Sequence, residues 1–341
     1  MLHIHGQVMP AQGYLAVDFF FILSGFVLCF GYEKKSRSNG YFWGFLRDRL
    51  IRLYPLHLLT LSVYVPMCIF FYMTSGGQLL EQNWIGFPIN ALLLQAYGIP
   101  MSGVLNAPSW SISVELFVNV FLALIIYALS RSKSVLIFVF FVVFGAYAAS
   151  YASFGNLGGI DQSSLIYVNA GMLRGFGGIF LGVLIYHSYR AFERQVDRSP
   201  IRIALVAAIA ASASIVSFLG MIWAWFPDFA YIPMFFAAIL FTALWEKSAP
   251  ISNKRLAAFF GASGALSYAV YLCHWPIITF IRYQLTYAWQ LPVDIERPSH
   301  GAVAVLLILI ISAFVHYRFE LPIQRALRSG AKPAGARYSF G

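Results

Sequence analysis

A chain of 341 residues that is 60% hydrophobic and 18% aromatic carries only 11% charged side chains, against roughly a quarter in soluble domains. With a mean hydropathy of +0.72 and apolar residues in blocks rather than in alternation, it is neither a water-soluble enzyme nor an outer-membrane barrel. What remains is an all-α integral membrane protein.

In chain order the apolar blocks predict spans at Leu15–Tyr32, Pro55–Thr74, Pro108–Leu129, Val135–Ser153, Ser164–His187, Ile203–Trp223, Phe229–Trp245, Leu256–Tyr283 and Gly301–Tyr317. Between the second and third, Trp84–Tyr97 is too short to cross and reads as a re-entrant or interfacial segment. At about 20 residues per crossing, nine helices use about 180 residues, and no connection is long enough for a soluble domain. Residues 1–330 form one membrane domain, and 331–341 read as a disordered cytoplasmic tail. No basic segment with a cleavage site precedes the first span, so no removable signal peptide is expected. Cys29, Cys68 and Cys273 fall in apolar segments and give no disulfide framework.

The basic residues orient these spans. Twenty of the 23 Lys and Arg residues lie in alternate connections and the tail, beginning with Lys34, Lys35, Arg37, Arg47, Arg49 and Arg52. Cytoplasmic loops carry such an excess, which places the N-terminus outside and the C-terminus in the cytoplasm. The net charge of +10 is then topology, and no nucleic-acid partner is implied.

Ionisable groups in hydrocarbon cost several kcal/mol and mark function by default. One layer falls in the outer half of the bundle: His3, His5, Asp18, Glu115, Arg174 and His274. A second lies near the cytoplasmic face: Arg47, Arg49, Arg52, His57, His187, His316, Arg318 and Glu320. Structural alternatives stand beside each functional one. Glu115 and Arg174 read equally as a neutralising pair, Asp18 as an anion at a helix start, and His57, His187 and His316 as interfacial anchors. The inner arginines suit phosphate binding or the positive-inside rule alone. No metal-ligand spacing, P-loop or dinucleotide fingerprint is present.

Five strings go beyond hydropathy: GYLAVDFFFILSGFVLCF at Gly13–Phe30, FLRDRLIRLYP at Phe45–Pro55, PSWSISVELF at Pro108–Phe117, ALSYAVYLCHWPII at Ala265–Ile278 and YRFELPIQRAL at Tyr317–Leu327. In this order they resemble the acyltransferase-3 family of membrane O-acyltransferases. The resemblance implies transfer of an acyl group, acetyl or a related one, from cytoplasmic acyl-CoA to a hydroxyl of a surface or exported carbohydrate such as polysaccharide or lipopolysaccharide, in the bacterial inner membrane, with no bound cofactor. It also implies an earlier helix bearing an Arg and, ten residues on, a catalytic His. The start MLHIHG resembles the last turns of that helix, so the domain reads as N-terminally truncated, with His3 the better match and His5 the runner-up.

Acyl transfer to a sugar hydroxyl needs a base and a stabiliser for the developing oxyanion. His3 or His5 is expected to act as the base, or as a covalent relay, oriented by Asp18 or Glu115. Arg47, Arg49 and Arg52 are expected to hold the donor phosphates. Ser24 and Gly25 of the SGF string are expected to admit the pantetheine arm between helices, helix packing being the alternative use of the glycine. Arg174, His274, Trp110 and Trp275 are candidates for the acceptor site; a core histidine and interfacial tryptophans are the plainer readings. The rival functional class is a transporter or flippase of a sugar-lipid intermediate, against which the absence of a repeat between the halves argues. A third reading is an inactive truncated homologue. Which sugar, which acyl group and which oligomeric state are not legible.

Overall fold

A computed structural model describes residues 11–74, 86–97, 105–158, 168–196, 199–282, 285, 289–291, 293 and 297–330. The elements are α1 (Ala16–Tyr32), α2 (Tyr41–Thr74), α3 (Gly86–Ala91), α4 (Ser109–Leu129), α5 (Val135–Phe154), α6 (Ala170–Val196), α7 (Pro200–Trp223), α8 (Tyr231–Ser248), α9 (Lys254–Phe280), α10 (Pro298–Val315) and α11 (Leu321–Gly330). A π-helical segment, His316–Glu320, joins the last two. Nine helical segments among the described residues are long and apolar enough to cross a membrane, and the protein is an all-α membrane protein. Each segment overlaps one of the nine spans expected from hydropathy. The short α3 lies inside the segment judged too brief to cross.

The differences lie where polar residues extend a helix past its apolar run. α2 has 34 residues and starts well before Pro55, so it is about 51 Å long at 1.5 Å per residue against a hydrocarbon core of about 30 Å. The basic stretch Arg47–Arg52 is therefore helix rather than loop. Pro55 and Pro66 sit inside it, each removing one backbone donor. α6 likewise runs nine residues past His187, as far as Val196.

The chain divides into two compact units. Residues 1–46, 93–100 and 110–260 make the first, and 47–92, 101–109 and 261–341 the second.

In the first unit α6 is the central helix. Of its most apolar window 83% is buried, against 22% for α5 and α7. Glycines let α1 lie directly on it. A Cβ at Gly25 would run into the Ile179 carbonyl oxygen, one at Gly182 into the Ile22 carbonyl, and one at Gly178 would come within 2.7 Å of the Phe21 Cβ. Small residues that bring backbones together are the usual glue where lipid supplies no hydrophobic drive between helices. Each end of this unit is tied by polar contacts. At one end Glu33 pairs with Lys133 at 3.3 Å and accepts the Tyr186 hydroxyl at 2.5 Å, while Arg37 donates to the Ser130 carbonyl. At the other, the buried carboxylate of Asp228 accepts Gln12 Nε2 at 2.9 Å, the Tyr14 hydroxyl at 2.7 Å and the Leu157 amide at 2.7 Å.

The second unit holds the rest of α2 with α3, most of α9, α10 and α11. Leu61, Tyr64 and Leu105 form its small apolar cluster, with Trp275 packed against it.

Candidate active site

In the first unit the expected centre is built on α1, α4 and α6. Arg174 is 1% exposed and Asp18 fully buried. The guanidinium meets the carboxylate as a fork, Nε to Oδ1 at 3.1 Å and an Nη to Oδ2 at 2.7 Å. The same Nη donates to the Tyr14 carbonyl at 3.1 Å, and the guanidinium carbon lies 5.1 Å from the centre of the Trp110 ring. Buried charges persist only when paired and hydrogen-bonded, and here both conditions hold.

This arrangement corrects two sequence expectations. Arg174 pairs with Asp18, not with Glu115. Asp18 does stand in the first turn of α1, as an anion at a helix start, and both its oxygens also accept from Arg174. Arg174 and Trp110 lie inside the bundle, the guanidinium against the Trp110 ring and the Asp18 carboxylate, so they support the site from within rather than lining an open acceptor surface. Trp110 is 6% exposed and its ring meets Phe21 edge-on at 6.1 Å.

Six residues along α1, Ser24 donates to Glu115 Oε1 at 3.0 Å, about 9 Å along the axis from Asp18 at 1.5 Å per residue. Both residues are half-buried. Among the described residues no Lys or Arg pairs with Glu115, which leaves it as the carboxylate of this region without a cation. Gly25 does not leave an opening for a pantetheine arm. Its missing side chain is filled by the backbone of α6 at Ile179, so the glycine serves helix packing, and the SGF string is mid-helix rather than a turn.

The basic string and the CHWP string fall in the second unit. Arg47 is exposed and meets Asp48 at 3.4 Å. Arg49 has a buried Nε with no acceptor among the described residues. Arg52 is held: its Nη1 donates to the fully buried Glu320 at 2.8 Å, and its guanidinium lies 5.0 Å from the centre of the Tyr268 ring. Glu320 also accepts Gln324 Nε2 at 2.9 Å, and its other oxygen meets His316 Nδ1 at 2.7 Å. His316 is thus no interfacial anchor, and its partner is one π-helical turn away.

His57 is also buried, its Nε2 donating to the Asn90 carbonyl at 2.8 Å while its Nδ1 meets no partner among the described residues. Asn106 completes that cluster by donating to Thr60 at 3.2 Å and to the Leu272 carbonyl at 3.3 Å. His274 is half-buried and donates through Nδ1 to the Tyr271 carbonyl at 2.6 Å, which leaves Nε2 as its accepting nitrogen. Trp275 belongs to the apolar cluster. His3 and His5 lie outside the described residues.

Sequence reasoning missed Asp228, Asn90 and Asn106. A search restricted to ionisable groups passes over buried asparagines, and Asp228 sits in a connection, where an acid is unremarkable. Its signal is the run of apolar spans on both sides, which leaves that connection only a few residues long.

The acyltransferase-3 family, described as an acyltransferase domain, matches residues 2–317. The chain belongs to this family. Among curated relatives, this acyltransferase-3 protein is 35% identical over 136 residues to Protein 2 in the picA locus of Rhizobium radiobacter, the match covering 35% of the chain and 71% of the relative. It is 35% identical over 118 residues to the acyltransferase MdmB of Streptomyces mycarofaciens, covering 34% of the chain and 27% of that longer protein. No solved structure matches it.

Proposed function

We propose that this membrane acyltransferase moves an acyl group, acetyl in the first instance, from cytoplasmic acyl-CoA to a hydroxyl of a cell-surface or exported carbohydrate, working in the bacterial inner membrane with its C-terminus in the cytoplasm. The observation that carries the donor half of this reading is Arg49. A buried guanidinium nitrogen without an acceptor costs free energy until an anion meets it, and arginine forks suit phosphate. Arg52, three residues on and on the same helical face, already has its anion in Glu320. Arg49 is therefore the stronger candidate for the coenzyme A phosphates, with exposed Arg47 beside it.

In the transfer, a base removes the proton of the acceptor hydroxyl as its oxygen attacks the thioester carbonyl. The tetrahedral oxyanion then collapses, the carbon–sulfur bond breaks, and the coenzyme A thiolate leaves and takes up the proton. By resemblance His3 or His5 is the base. Glu115, which meets no Lys or Arg among the described residues, suits the orientation of an imidazole better than Asp18, whose charge Arg174 already neutralises. His274 Nε2 is an acceptor for a sugar hydroxyl.

The test uses a strain lacking the gene. Ester-linked acetate on its purified surface polysaccharide should fall and should return with the wild-type chain, but not with the His3→Ala/His5→Ala chain. On purified protein, Arg49→Ala should weaken acyl-CoA binding by about tenfold or more, the loss of a charge-assisted hydrogen bond, with the thermal midpoint unchanged. Arg52→Ala should lower stability by about 3 kcal/mol by stranding Glu320. Donor affinity unchanged in folded Arg49→Ala protein would remove the donor assignment.

A further inference from the structure

Along the side of the first unit, α5, α6 and α8 enclose a groove of about 950 Å³. On α5 it runs from Leu136 to Tyr151, about 22 Å at 1.5 Å per residue, which is most of the depth of a bilayer's hydrocarbon core. Its walls are aliphatic and aromatic. The exposed Phe140 and Phe144 leave it open to the bilayer along its length.

The two ends of the groove differ. His187 and Ser188 line the end nearest Leu136 and Phe192. Lys133, Arg190 and Glu33 lie near the His187 ring. Glu33 pairs with Lys133 at 3.3 Å and Glu193 with Arg190 at 2.5 Å, yet Lys133 and Arg190 keep 61% and 47% of their side chains exposed and open to a further anion. Arg131, in the connection before α5, and Arg194, in the last turn of α6, add positive charge at the same end. Tyr151 and Phe229 line the far end, next to the connection that holds Asp228. The shape and charge therefore fit an amphiphile with a long hydrocarbon chain and an anionic head. Lateral access favours one already in the leaflet, and two small polar side chains at the head position are too few to read a sugar.

We propose that this groove is a binding site for an anionic phospholipid. Its acyl chain lies against Phe140, Leu184 and Phe144, and its phosphate sits beside His187 and Ser188 within reach of Lys133 and Arg190. Basic pockets between membrane helices bind lipid phosphates in this way. The site is independent of the acyl-transfer reading.

The test is lipid extraction from the full chain purified in mild detergent, followed by thermal unfolding in nanodiscs of phosphatidylglycerol or phosphatidylcholine. The wild type should retain phosphatidylglycerol or cardiolipin about fivefold over their share of the source membrane and unfold at a higher temperature in phosphatidylglycerol. Lys133→Gln with Arg190→Gln should abolish both preferences. Ala148→Trp, which fills the groove without touching a charge, should release the bound lipid and the stabilisation together. Retained lipid matching the bulk composition, identical behaviour in the two nanodiscs, or recovery of a lipid-linked sugar or acyl-CoA instead of phospholipid would each overturn the proposal.

Discussion

A buried ion pair is costly unless its geometry is complete. Arg174 and Asp18 are both withdrawn from solvent, and their mutual attraction, the Tyr14 carbonyl and the Trp110 ring offset that cost. Removing one partner of such a pair leaves an uncompensated buried charge and costs about 3–5 kcal/mol, whereas an apolar replacement of both is often tolerated. Arg174→Met and Asp18→Leu should therefore each lower unfolding stability in detergent by that amount, and the double variant should recover more than half of it. Additive losses in the double-mutant cycle would show that the two groups act separately. Sequence alone offered Arg174 two acids at similar depth, Glu115 and Asp18, and hydropathy does not choose between them. The choice follows from the α1–α6 contacts: Phe21 faces Gly178 and Ile22 faces Gly182, and one turn further toward the helix starts the same register brings Asp18 to Arg174.

At the scale of elements that glycine seam is a testable claim. Gly25 and Gly182 touch backbone of the opposing helix, which cannot retreat, while Gly31 and Gly145 have open space where a Cβ would stand. Overpacking typically costs about 1–3 kcal/mol, whereas replacing an unconstrained helical glycine by alanine gains up to about 1 kcal/mol. Gly25→Ala and Gly182→Ala should thus lower the thermal midpoint, and Gly31→Ala and Gly145→Ala should leave or raise it; equal effects at all four positions would refute the seam. The helices themselves were legible, because about 20 apolar residues in a row have few other uses. What hydropathy did not register is polar helix: the basic first half of α2, the end of α6, and the π-helical turn that sets His316 against Glu320. For the candidate site, composition identified Asp18, Glu115, Arg174 and the arginine string. It did not identify which arginine is already neutralised, because Arg52 and Glu320 are 268 positions apart in the chain.

For the whole molecule the scarce charges act as address labels. In the first unit the connections after α1 and between α4 and α5 meet through Glu33, Lys133, Arg37 and Ser130. The segment before α1, the end of α5 and the connection between α7 and α8 meet through Asp228. Each helix between these points therefore carries the chain from one end of the unit to the other, the alternation that the Lys and Arg distribution demands. The polar contacts divide the ends into two sets, and the positive-inside rule predicts which set faces the cytoplasm. Single cysteines at Ser132 and Asn156, both on exposed connections, should therefore respond oppositely to a membrane-impermeant maleimide in a chain whose native cysteines are replaced by serine or alanine. In intact spheroplasts the residue-156 cysteine should label and the residue-132 cysteine should not, with both labelling after detergent permeabilisation. The reverse pattern would invert the orientation of the first unit. Labelling of both positions in intact spheroplasts would contradict the crossing of α5 itself, since that helix alone separates them.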